Sequence, residues 1–143
     1  RDEMINWVLR GAVLLWALFF AIVGLRGIID PASFTDLFGI IAEGPAANTV
    51  RADLSAFFLV AAGGAAVGAL LPAWPRALLV PAALYGTALI GRLIGAASGD
   101  AIDPAIIQAM IIEALSAGLM IASWWILSRT RSSPGEGMAD TVH

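Results

Sequence analysis

The chain is 143 residues long, 59% hydrophobic and 13% charged, with a mean hydropathy of +0.86 and a net charge of −3. A soluble domain carries roughly 25% charged residues, so this balance belongs to the membrane class. There is no cysteine, no lysine among the eight basic residues, and one histidine, His143. Disulfides, thiol chemistry and the usual haem or zinc ligands are thereby excluded from the apolar interior, and no basic stripe exists for nucleic acid.

Arg1 is not an initiator methionine, so the chain is expected to begin inside the gene product or after trimming. Residues 5–29 form the first expected span, with Arg10 and Arg26 placed to snorkel at the ends of its apolar stretch. A cleaved leader is the competing reading, but no small-x-small cleavage site follows. Asp30-Pro31 then has the form of an N-cap followed by proline at the first helical position. Phe34, Leu37, Phe38 and Ile41 fall on one helical stripe, and Gly39 suits a helix end. Residues 31–38 therefore read as a short helix lying in the membrane interface, followed by a loop over 42–48.

The second span is expected over 49–71, with Arg51 and Asp53 in its first turns and small residues spaced for close helix approach, Ala61 with Ala65 and Gly64 with Gly68. Pro72 to Pro75 is a tight turn into a third span over 76–97, which carries Tyr85, Arg92 and the Gly91-x-x-x-Gly95 spacing. Asp103-Pro104 opens the fourth span, 104–127, and echoes Asp30-Pro31, a weak hint of a parallel duplication. Residues 1–127 thus form one domain, and the polar tail 128–143 reads as disordered. The fold class is all-α: a polytopic membrane four-helix bundle with a short interfacial helix between spans one and two.

Four spans put both termini on one side. That side collects Arg1, Arg10, Arg76, Arg129 and Arg131, which makes it cytoplasmic by the arginine bias, and Trp7, Trp74, Trp124 and Trp125 form a belt there.

Two charges lie inside apolar runs, Arg92 and Glu113. At 1.5 Å per residue they sit roughly 8 Å and 13 Å below the same boundary, on helices joined by a short loop, so pairing is expected. Arg26, Arg51 and Asp53 share that half of the bundle, and Tyr85 lies on nearly the same face as Arg92, one level deeper. If all face inward, three arginines meet two carboxylates, and the surplus charge can hold an anionic headgroup, a carboxylate or a quinone oxygen. Two readings stay open: a clasp between spans three and four, or a ligand site made of Arg26, Arg51, Asp53, Tyr85, Arg92 and Glu113.

Asp30-Pro31 after the first span, Arg51-x-Asp53 opening the second, Gly91-Arg92-Leu93 and Gly99-Asp100 around the end of the third, and Glu113 in the fourth carry a resemblance. From about Leu14 to Leu127 the chain resembles a family of four-span bacterial inner-membrane proteins, similar in build to DoxX-like proteins. The resemblance implies a four-helix bundle of the inner membrane and no established activity. The loop reads Gly-Asp where the family pattern has Asp-Gly.

The leading functional reading is a non-enzymatic accessory or structural subunit, packed within a larger membrane complex or a homo-oligomer and among membrane lipids. The alternative is a bundle that binds or transports an amphiphile or anion at the arginine–carboxylate cluster. Small multidrug exporters share the four spans and a membrane glutamate, but theirs lies in the first span. Glu113 with Tyr85 can support proton chemistry in principle. Nothing supplies a nucleophile, metal cage or phosphate loop, so no enzyme and no cofactor is expected.

Overall fold

The computed structural model describes residues 1–130. Four helices are long and apolar enough to cross a membrane: α1 (Asp2–Ile29), α3 (Pro45–Leu70), α4 (Pro75–Ala97) and α5 (Pro104–Arg129). A short helix, α2 (Ser33–Phe38), lies between the first two. Successive helices run up and down, so the chain start, the turn at 71–74 and the end of α5 share one end of the bundle. Segments 30–44 and 98–103 share the other, here called the loop end. The expected tail, 128–143, overlaps α5 as far as Arg129, Thr130 caps that helix, and residues 131–143 lie outside the described residues.

The buried positions explain the architecture. On α1 they are Val13, Ala17, Phe20, Gly24 and Gly27; on α5 they are Glu113, Ser116, Met120, Ser123 and Leu127. Both sets alternate steps of three and four, which keeps one stripe facing a neighbour along the whole helix. α3 is the most enclosed, with 39% of its apolar window buried against 17% for α5, and it contacts both α1 and α4. Its small residues make this possible. A Cβ at Gly68 would stand 2.5 Å from Leu78 Cγ, and one at Gly64 would stand 3.0 Å from the Ala77 carbonyl oxygen. These small positions seat the 3₁₀ turn Pro75–Leu78 that opens α4. At the far side of α1–α3, Gly24 leaves room for Leu59 in the same way.

One local expectation is corrected. Asp30 does not cap α2: its backbone N–H closes α1 on the Arg26 carbonyl, and α2 starts at Ser33 with no side-chain cap. Only three residues separate the two helices, so Asp30 is spent on ending the first. Asp103 does cap: its Oδ1 accepts from the Ile106 N–H at 2.9 Å. Within α2 the apolar stripe divides. Phe34 is fully buried, pressed against Gly27 and edge-on to Phe58, while Leu37 and Ile41 stay exposed. The segment is a plug over the loop end of α1 and α3. Gly39, at φ 66°, ends it as expected.

Candidate functional site

Arg92 and Glu113 meet, as the depth count predicts. Arg92 Nε donates to Glu113 Oε1 at 2.7 Å, joining α4 to α5. Glu113 sits on the buried stripe of α5, and its side chain is 9% exposed; the Arg92 side chain is 33% exposed. The other carboxylate oxygen, Oε2, is buried and has no hydrogen-bond partner, and the same holds for the Tyr85 hydroxyl. A bundle normally satisfies its buried polar atoms; Asn6, Ser33 and Ser123 also leave a buried oxygen unpaired among the described residues, and Glu113 and Tyr85 are linked through Trp16 and Ser116.

The Tyr85 ring is held by aromatic neighbours from three directions: Trp16 edge-on at 5.0 Å, Phe20 at 5.2 Å and Phe57 at 5.3 Å between centroids. Trp16 in turn donates its indole N–H to Ser116 Oγ at 2.9 Å, tying α1 to α5 one turn from Glu113. Trp16 and Ser116 are not legible as site residues in sequence. Their only signal is that Ser116 stands three residues after Glu113, on the same helix face.

The remaining predicted members do not join. Arg26 is exposed, one residue off the α1 stripe and on the opposite face from Gly24. Arg51 and Asp53 are also exposed. By α-helical spacing Arg51 would share a face with the buried Ser55, Phe58 and Ala65. The structure breaks that spacing with a π segment, Val50–Leu54. Its wider turn gives the inward place to Val50, whose carbonyl accepts from Ser55 Oγ at 3.0 Å, and rotates Arg51 outward. Arg51 then donates to the carbonyl oxygen of Ile28, one of the free carbonyls at the end of α1. Among the described residues neither Arg26 nor Asp53 makes a side-chain hydrogen bond or ion pair.

Arg92 faces a second space besides Glu113. Between the loop-end turns of α4 and the start of α5 is an open depression of about 320 Å³, lined by Gly91, Arg92, Gly95, Asp100, Ile102 and Ile106 among others. The end of α4 shapes it. Gly99, at φ 94°, turns the chain left-handed, so the Asp100 N–H returns to the Gly95 carbonyl at 3.0 Å and the Gly99 N–H to that of Ala96. This lays the Asp100 carboxylate over Gly95, where a Cβ would stand 2.5 Å from Oδ2. Arg92 and Asp100 thus line one hollow, and Asp100 forms no ion pair among the described residues.

No group of three or more His, Cys, Asp or Glu side chains is placed to hold a metal ion among the described residues. The arrangement offers a cation with free donors, a buried acceptor, a buried hydroxyl and an apolar surround. No family model, curated protein or solved structure matches this chain.

Proposed function

We propose that this chain is a multi-pass protein of the bacterial inner membrane with cytoplasmic termini, DoxX-like in build, which binds an amphiphilic or anionic small molecule at Arg92 and Glu113 without catalysing a reaction. One observation carries the reading: the pair is not closed on itself. A clasp serving only to hold two helices gains most when every donor and acceptor is used. Here Arg92 uses only Nε, stays one-third exposed beside an open depression, and the Glu113 Oε2 and Tyr85 hydroxyl behind it are unpaired. Charged groups inside spans that keep spare capacity mark binding paths in membrane proteins.

The test is native mass spectrometry of protein purified in mild detergent without delipidation. The wild type retains an amphiphile or anion; the double variant Arg92→Met with Glu113→Met, which removes both charges together, folds and loses it. Equal retention by both, or none by the wild type, refutes the reading.

The accessory-subunit reading draws on a different observation. No residue from 86 to 112 is buried, so the loop-end halves of α4 and α5 stand clear of α1 and α3 with Ile90, Leu93, Ile94, Ile107 and Ile111 outward. Such a face meets either lipid or another subunit. Light scattering of the protein in mild detergent decides between them, since a strict monomer with no co-purifying chain removes the subunit.

A further inference from the structure

We infer that the depression at the end of α4 is a headgroup site for a zwitterionic phospholipid bearing a primary amine, with phosphate on Arg92 and ammonium on Asp100. The inference rests on the binding reading above and names its ligand class.

Charge is the first argument. The hollow carries one cation and one anion, and they do not pair with each other: Arg92 is turned to Glu113 through Nε, and the Asp100 carboxylate has no ion-pair partner among the described residues. The terminal guanidinium nitrogens make no hydrogen bond among the described residues, and their planar fork suits a phosphate. A purely anionic ligand would face Asp100 at a cost, whereas one with a positive end a few bonds from its phosphate satisfies both. A primary ammonium donates N–H groups to a carboxylate; a quaternary ammonium has none to give.

Shape is the second. About 320 Å³ lies at the small end of the ~300–1,000 Å³ of small-molecule sites, the size of a headgroup rather than a whole amphiphile. The hollow is open, and the exposed Leu93, Ile94 and Ile107 on its two helices offer apolar surface to acyl chains. Position is the third. Arg92 stands five residues before Ala97, about 8 Å from the helix end, so its side chain reaches the headgroup level of a bilayer. Local structure is the fourth. Asp100 is delivered by the glycine-dependent turn at Gly99 and seated over Gly95, which has no Cβ to exclude it.

The experiment titrates the full chain, delipidated in mild detergent, with equal dioleoyl phosphatidylethanolamine, phosphatidylcholine and phosphatidylglycerol, read by native mass spectrometry. The wild type retains the ethanolamine lipid about three-fold over either other, the size of a charge-assisted contact at a partly exposed site. Asp100→Asn, an exposed change, abolishes the preference over phosphatidylglycerol. Gly91→Leu, where a Cβ meets no atom within 4 Å and the longer side chain enters the hollow, lowers ethanolamine-lipid retention about ten-fold. Thermal melts of both variants verify that they fold. Soluble phosphoethanolamine is the competitor: displacement at equal concentration supports the same recognition with a soluble ligand, and no displacement supports the lipid. Equal retention of the three lipids, unchanged in both variants, overturns the inference. If another amphiphile still binds in a manner dependent on Arg92 and Glu113, only the headgroup assignment falls; if none does, the binding reading falls with it.

Discussion

The α1–α3 half of the bundle and the loop-end half of the α4–α5 hairpin have similar composition and opposite packing. In the first, two α1 glycines are contact points: Gly24 receives Leu59, and Gly27 receives Phe34 and Ser55. In the second, a Cβ at Gly91 would meet nothing within 4 Å, Gly95 is covered only by Asp100 of the adjoining loop, no residue of 86–112 is buried, and the one interhelical polar bond among the described residues is the Arg92–Glu113 pair. Apolar content alone therefore says little about packing in such a chain. Where lipid replaces water, helix association comes from close fit and polar bonds rather than from hiding apolar surface. One half has the fit, and the other has the charges.

Substitutions that change one half and spare the other test this contrast. The largest effect is expected at Gly27→Val. Its Cβ would stand 2.5 Å from both Phe34 Cζ and Ser55 Oγ, so Phe34 must leave its socket, at about 3 kcal/mol. Unfolding in a denaturing-detergent titration reads the loss; a wild-type midpoint would refute the plug role of α2.

Next comes the ion pair, with an asymmetry. Arg92→Ala leaves the Glu113 carboxylate buried and alone, and is expected to cost about 2–3 kcal/mol. Glu113→Ala leaves a guanidinium already one-third exposed, free to reach toward polar surroundings, and should cost less than half as much. The same titration measures both, and equal costs would mean the pair is more deeply closed than its exposure indicates.

Trp16→Phe keeps the ring and deletes the bond to Ser116, for about 1 kcal/mol. It should also quench less of the packing signal of Tyr85 in near-ultraviolet circular dichroism than Trp16→Ala does. The smallest effect belongs to Gly91→Ala, within about 0.5 kcal/mol of wild type, because the added methyl meets nothing. A large loss there would show that the outer hairpin is packed after all.

How much of this was legible in sequence follows from what helical spacing can encode. The four helices, the turn at Pro72 to Pro75, the Asp103 cap and the meeting of Arg92 with Glu113 all depend on positions along an axis. Counting residues at 1.5 Å each is enough for those. The expected cluster failed at Arg51 because it also depends on rotation about the axis. One π turn at Val50–Leu54 rotates Arg51 and Asp53 out, and no pattern of apolar residues announces it. The burial of Phe34 was not legible for a related reason, since an amphipathic stripe says that a face is apolar and not whether protein or membrane covers it.

The amino-acid sequence by itself determined the number, length and order of the long helices, and the axial level of each charge, because these are set by composition and rise per residue. Only the tertiary structure decided which charges meet and which groups are left unpaired. It alone lays Asp100 over Gly95 at the rim of the hollow that Arg92 lines. Those outcomes rest on helix rotation, on a left-handed turn at Gly99 and on contacts between elements far apart in the chain, none of which is fixed by any single stretch of residues.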